Sequence, residues 1–391
     1  MKTFLALLLL IAPLFASEGA TDPSKKNKPP TVKILLAKLE KSAEAQVHGP
    51  FSLYNPVDDS WIDHYTRSKK GKLRPGQEGL VWGKTLKGIE AIRIVPDTPH
   101  TTLHVNGVHY PGCIEIYSIG GTLNIVNEVG IETYLLSILG PEFDDHVVPQ
   151  VLDALVITAR TSFYALTGKN EYTSWHIDAT KGGYLGVNPG KQNRQMEEAI
   201  RRTSDMILHY HNKPFRASWG KDHAGTSAPY TSIFRRREKA PSGVASLPSH
   251  LTRESSKWQV TFPKKELAKL LSVPSLEQID LFKTKGSGKV YGAKITSPLG
   301  QEKIDLFSLQ KALGKRALPS NDFSVRLEKK KWVFTGYGEG SGVGLCLKSA
   351  AILAQKGKPL KEILSLHFPQ SELVNIRQVT GAESSHSFIW K

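Results

Sequence analysis

Sulfur and acid are what this chain is short of. Among 391 residues there are two cysteines and three methionines, and Asp plus Glu number 36 against 52 Lys plus Arg. Two cysteines, Cys113 and Cys346, do not make a disulfide framework. In an exported chain they could bridge; the alternative is two buried thiols. After the first twenty residues no apolar run is long enough to span a membrane. The C-terminal glycine-rich stretch from Gly336 to Gly344 does not continue into Gly-Lys-Ser/Thr, which excludes a phosphate loop there.

The shortage of acid leaves a net charge of +16 and a pI of about 9.6. Such a balance favours an anionic partner, but no nucleic-acid-binding module is recognisable. The N-terminus, MKTFLALLLLIAPLFASEGA, has Lys2, an apolar run from Phe4 to Phe15 broken by Pro13, and small residues from Ala16 to Ala20. This pattern predicts a secretory signal peptide over residues 1–20, with an uncleaved anchor as the second option. The expected location is the periplasm or cell envelope. Cleavage removes Lys2 and Glu18 together, so the mature charge stays at +16. For an exported chain the anionic partner is wall polymer or lipid rather than nucleic acid.

Residues 21–30 read as a basic, proline-flanked linker. From 31 to 126, short apolar or alternating runs between turn residues predict a β-rich region. Asn106-Gly107 is a hairpin signal within it. The pattern then changes. Ile131, Leu135, Ile138 and Leu139 recur at helical spacing, and Gly140-Pro141 ends that helix. A second helix opens near Pro149 and runs to Gly168, with Leu152, Leu155, Val156, Ala159, Phe163 and Leu166 as its stripe. The fold class is therefore α+β, a β-rich N-terminal region leading into a helical pair. Further on, Gln195–Thr203, Lys264–Leu271 and Leu306–Leu313 read as short helices, and Trp258–Val260 and Lys289–Ile295 as strands. A hairpin turning near Asn212-Lys213 would put His209 and His211 on one strand face; we read these as the end of a hairpin and expect no metal site.

Two polar residues break the helical pattern. Glu142 sits in the loop between the helices, beside Pro141 and Phe143. Arg160 lies at the edge of the second apolar stripe, so its head should be part-buried and need an anionic partner. A loop carboxylate and an inward-leaning guanidinium suit a general acid/base and its positioner.

These residues resemble the stage II sporulation protein D and amidase enhancer family of peptidoglycan lytic transglycosylases. Asn127, Glu128, Glu132, Tyr134 and Leu135, then Glu142 and Phe143, fit the first part of its motif. Pro149, Leu152, Ala154, Ala159, Arg160 and Thr161 fit the helix that follows. Gly336, Gly338, Gly340, Gly342, Val343, Gly344, Leu345, Cys346 and Ala350 fit its C-terminal glycine-rich signature, and the loop His223-Ala224-Gly225-Thr226 fits a third element loosely. Three positions depart: Ser341 stands for a histidine, Leu347 for a glutamine and Gln310 for an arginine.

The resemblance implies a catalytic region over 127–391, with a groove closed by the C-terminal glycine-rich turn and its helix. Glu142 is implied as the catalytic acid and Arg160 as its support. Tyr134, His223, Thr226, Ser341, Gly342 and Gly344 are implied as substrate-binding, with no metal and no cofactor. The implied reaction cleaves the MurNAc–GlcNAc bond of peptide-stripped glycan strands to 1,6-anhydro ends. The implied functional partner is an amidase. The departures at Ser341 and Leu347 support a second reading, a weak or inactive glycan-binding protein that recruits or stimulates an N-acetylmuramoyl-L-alanine amidase.

Overall fold

In a computed structural model of the chain, residues 31–143, 147–168, 174–187, 193–235, 238–314 and 317–379 are described. The expected signal peptide and linker lie outside them.

Twelve strands come first: β1 (Thr31–Glu40), β2 (Ala43–His48), β3 (Phe51–Tyr54), β4 (Trp61–Tyr65), β5 (Lys69–Arg74), β6 (Val81–Trp82), β7 (Lys84–Thr85), β8 (Ala91–Pro96), β9 (Thr102–Val105), β10 (Val108–Tyr110), β11 (Cys113–Ile119) and β12 (Thr122–Gly130). They form a six-stranded sheet, β10-β9-β2-β5-β6-β7, and most of a seven-stranded one, β1-β12-β11-β8-β3-β4. Alternation decides which side faces in. In β2, Ala43, Ala45 and Val47 are buried while Glu44 and His48 are exposed. The inward residues of both sheets, among them Leu73, Leu103, Ile92, Ile94, Ile114, Ile116 and Ile125, merge into one core. Asn106 and Gly107 both take positive φ between the paired Val105 and Val108, as the hairpin signal requires.

The helical pair follows: α1 (Ile131–Leu139), a 3-10 turn over Gly140–Glu142, and α2 (Pro149–Thr167). Residues Asn127–Gly130, which the motif reading joins to the first helix, are instead the end of β12. Helix α2 is the centre of the molecule. Thirteen of its 19 residues are buried, so it is covered on nearly every side rather than along one stripe. Truncating Leu155, 0 % exposed, to Ala should cost about 2–5 kcal/mol.

Next come β13 (Ile177–Asp178), which pairs parallel with β1, α3 (Ala179–Gly182), α4 (Arg194–Arg202), and the hairpin of β14 (Met206–Tyr210) and β15 (Lys213–Pro214). The hairpin turns at His211-Asn212, both at positive φ, one residue earlier than expected. His211 is therefore a turn residue and does not share a strand face with His209, and no group of three His, Cys, Asp or Glu among the described residues is placed to hold a metal ion.

A second core lies beyond, under two three-stranded antiparallel sheets. It gathers Phe262, Leu276, Val290, Ala293, Leu306, Leu309, Phe323 and Phe334. One sheet is β17 (Lys257–Pro263) with β21 (Asp322–Glu328) and β22 (Lys331–Tyr337); the other is β18 (Gln278–Lys283), β19 (Val290–Ser297) and β20 (Gly300–Asp305). The strands read around Trp258 and Lys289 and the helices at Lys264–Leu270 and Leu306–Leu313 are present. The glycine-rich turn leads into β23 (Leu345–Cys346) and α9 (Leu347–Gln355), which pack on α2. Cys346 is a buried thiol and is not bridged to Cys113. No helix among the described residues is long and apolar enough to cross a membrane.

Candidate functional site

Arg160 is 0 % exposed, fully buried rather than at the edge of a stripe. A charge there requires complete pairing. Its partner is Glu132, from the first turn of α1: Nε donates to Oε1 and Nη2 to Oε2, both at 2.7 Å. Nη1 donates to the Thr203 carbonyl at 2.7 Å, the Thr203 hydroxyl and the Met206 carbonyl, and Nη2 also reaches the Ile200 carbonyl. All five N–H donors are engaged. Arg160 makes no hydrogen bond to Glu142 among the described residues; it ties α1, α2 and the end of α4 together.

Glu142 stands exposed at the end of the 3-10 turn, and no hydrogen bond or ion pair holds its carboxylate among the described residues. The neighbouring residues 144–146 lie outside the described set. What is fixed is the backbone around it. Phe143 packs against the α2 core. Buried Asn193 donates from Nδ2 to the Phe143 carbonyl at 2.6 Å, and reaches the Gly140 carbonyl at 3.5 Å, while its Oδ1 caps α4 by accepting from the Met196 amide at 2.9 Å. Asn193 is thus a clamp on the Glu142 loop. An N-cap asparagine before Gln195–Thr203 was a readable signal; its grip on a loop fifty residues earlier was not.

Tyr134, expected to bind substrate, is 1 % exposed and belongs to the core. Its ring meets Phe163 edge-on at 4.7 Å and Tyr184 at 5.4 Å.

The other expected residues gather in a second place. The loop after β16 (Trp219–Gly220) lies along the glycine-rich signature: Trp219 pairs parallel with Leu345, Asp222 exchanges both backbone hydrogen bonds with Glu339, and the Ala228 amide donates to the Gly342 carbonyl. Such closeness depends on the glycines. Gly344, at φ +74, would place a Cβ 2.1 Å from the Ser218 carbonyl oxygen, so only glycine fits. His223 is 2 % exposed, its Nε2 has no partner, and burial pushes its pKa down to about 3. The Lys289 ammonium adds to that effect. Thr226 is half-buried and bridges to Ala245; Ser341 is half-buried, its Oγ unpartnered and its carbonyl accepting from Asn321. Leu347 is 8 % exposed and packs in the α2 core.

Sequence reading missed the ions that lock this place. Lys289, 1 % exposed, donates to the His223 carbonyl at 2.6 Å and to Asp322 at 2.7 Å. Arg253 clasps Asp322 through both Nη atoms, at 2.6 and 2.8 Å. Burial pushes the Asp322 carboxyl up, but these two cations outweigh it and hold it below the usual range. Burial drives the Lys289 ammonium down. Asp222 likewise accepts from Lys348 and Ser249, each at 2.8 Å.

An α+β chain in which motif residues Glu132 and Arg160 meet at a helical pair defines a class. Residues 120–210 match the family described as Stage II sporulation protein. A Bacillus amyloliquefaciens protein named Stage II sporulation protein D is 23% identical over 296 residues, 69% of this chain and 83% of its own length. An uncharacterized protein of Brachyspira hyodysenteriae is 24% identical over 354 residues, 89% of this chain and 94% of its own. One of Chlamydia pneumoniae is 28% identical over 181 residues, 46% of this chain; the chain spans 66% of that relative's length. These matches support assignment to the stage II sporulation protein D family, a likeness carried most clearly by residues 120–210.

Proposed function

We propose that the protein is an exported lytic transglycosylase acting on peptide-stripped peptidoglycan strands, with residues 1–20 as its signal peptide. The observation that carries this reading is Glu142: an exposed carboxylate on a loop whose backbone is pinned on both sides, by Asn193 and by Phe143 in the core. Protonated, Glu142 donates its proton to the glycosidic oxygen as the C1–O bond breaks. As carboxylate it then takes the proton of the C6 hydroxyl, whose oxygen closes on C1. One carboxyl group returns to its starting state, so no second carboxylate and no water is required, unlike glycoside hydrolysis. Glu132 and Arg160 keep the helices that carry the loop in register. The glycine-rich turn and its apposed loop would line the groove, with half-buried Thr226 as the polar group left at its margin and the Ser341 hydroxyl buried behind it. The +16 charge suits strands that expose a lactyl carboxylate on each muramic acid.

Mass spectrometry of denuded glycan incubated with mature protein tests this: anhydro-ended fragments support it, and intact strands contradict it. A second reading, a glycan-binding protein that stimulates an amidase, is favoured by Ser341 and by Leu347, an apolar packed residue where the resembling family has glutamine. It requires strand binding that is indifferent to Glu142 and no anhydro product from the wild-type protein.

A further inference from the structure

On the second core, away from the residues discussed above, the pairing of β18 with β19 slips. Phe282 faces Gly292 but the next residue, Lys283, faces Val290, so Tyr291 is the extra residue of a β-bulge. Bulges re-aim a side chain. Here the ring of Tyr291 lies 5.9 Å from that of Phe282 at 23°, a short stacked platform. Beside it is a cavity of about 200 Å³ lined also by Arg235, Lys303 and Asp305. Gly292 forms part of its wall; a Cβ there would come within 2.7 Å of the Ile304 carbonyl oxygen, so the close approach of β19 to β20 depends on glycine.

The charge in this cavity is unbalanced. Asp305 is occupied as the cap of the helix Leu306–Leu313, accepting from the Phe307 and Ser308 amides and the Ser308 hydroxyl. Arg235 and Lys303 have no ion-pair partner among the described residues. Arg235 is moreover held at φ +51, ψ +35, a conformation that non-glycine residues seldom adopt. An aromatic platform offers an apolar face, and two cations offer a site for one anionic group. The cavity is below the usual size for a drug-like or dinucleotide ligand, and takes a single sugar ring.

We propose that this cavity is a second saccharide subsite. It takes one muramoyl residue, the sugar's C–H face on Tyr291 and Phe282 and its lactyl carboxylate on Arg235 and Lys303. The choice of muramoyl residue rests on the glycan reading of the preceding section. A subsite here would hold a strand at a second point along its length, separate from the reacting bond.

The test is an NMR titration of the full mature chain carrying Glu142→Gln, which leaves this cavity untouched, with N-acetylmuramic acid and with its neutral methyl ester. We expect the acid to bind about tenfold more tightly than the ester. That preference should vanish in the Arg235→Gln/Lys303→Gln double variant, whose exposed substitutions leave melting temperature unchanged. Tyr291→Ala should weaken both ligands. Unchanged binding and unchanged acid-over-ester preference in the double variant overturns the proposal, whatever Tyr291→Ala does to folding. The two readings fail separately. Loss of preference in the double variant, with no anhydro product from the wild-type protein on denuded glycan, sinks the reaction and keeps the subsite; anhydro product from the wild type with unaltered binding does the reverse.

Discussion

Arg160 and Glu132 face each other through two parallel hydrogen bonds of 2.7 Å, joining the second helix of the motif to the first. Glu132 retains some solvent access while Arg160 has none. Removing either partner leaves an uncompensated group, and for buried pairs that costs about 3–5 kcal/mol. Glu132→Gln and Arg160→Met should therefore each lower stability by an amount near the lower end of that range, measured by urea denaturation. Arg160→Lys should not rescue, because an ammonium cannot reproduce the fork. Equal stability in all three would show that the pair does not hold the helices.

Much of this was legible beforehand and some was not. That Arg160 needs an anion followed from its position among apolar residues, and both it and Glu132 belong to the recognisable motif. Which anion did not follow: Glu142 is nearer in sequence to α2, but a loop has no periodicity from which to derive direction. The full burial of Arg160 was missed because an apolar stripe implies one covered side, whereas α2 is wrapped by elements up to two hundred residues away. The Lys289 lock was invisible for a related reason. Its partners lie 66 and 33 residues off in sequence, and a lysine at the start of a strand looks like any solvated one. Strands, the Asn106-Gly107 turn and the short helices carry their own local signals, and these could be read.

Lys289→Met should strand the Asp322 carboxylate against Arg253 alone and leave the His223 carbonyl without its donor. We expect a loss of about 2–4 kcal/mol. A double-mutant cycle with Asp322→Asn should give a coupling of about 1 kcal/mol or more, and additive effects would contradict the contact.

Stability should fall in mild acid. His223 titrates near 3 and His176 near 4 in the folded chain, both lowered first by burial, against about 6.5 when unfolded. Between these values the unfolded chain binds more protons, so stability is full above pH 6.5 and declines as pH falls toward 4, by up to about 1.4 kcal/mol for each unit of depression. Asp222 and Asp322, held below the usual carboxylate range, remain ionised across that window, and His104, His109 and His367, also lowered first by burial, add to the same slope. His223→Gln should make the profile of urea midpoint against pH shallower; an unchanged slope would contradict the burial of a neutral imidazole at that position.

Gly344→Ala and Gly357→Ala separate clash from backbone strain. Both glycines have φ near +75, but only at Gly344 does a Cβ meet backbone, the Ser218 carbonyl oxygen, whereas nothing lies within 4 Å at Gly357. We expect about 1 kcal/mol for Gly357→Ala and about 3 kcal/mol or more for Gly344→Ala, read from thermal melts. Similar losses would mean the glycine-rich turn is not pressed against its neighbour.

Asn193→Ala should loosen the Glu142 loop while costing only about 1–2 kcal/mol of stability through the lost cap. If the loop's placement matters to chemistry, kcat on denuded glycan should fall about ten- to hundredfold with KM little changed. A proportional rise in KM instead would make Asn193 a binding residue rather than a positioning one.

The most direct measurement compares wild type with Glu142→Gln by mass spectrometry of products from denuded glycan, at equal folded concentration. Because Glu142 is exposed and bonded to nothing among the described residues, the substitution should leave the melting temperature unmoved. We expect 1,6-anhydro ends from wild type and none from Glu142→Gln, with strand binding retained. Equal product from both proteins, or none from either, would contradict the assignment of Glu142 as the single group that gives a proton and takes one back.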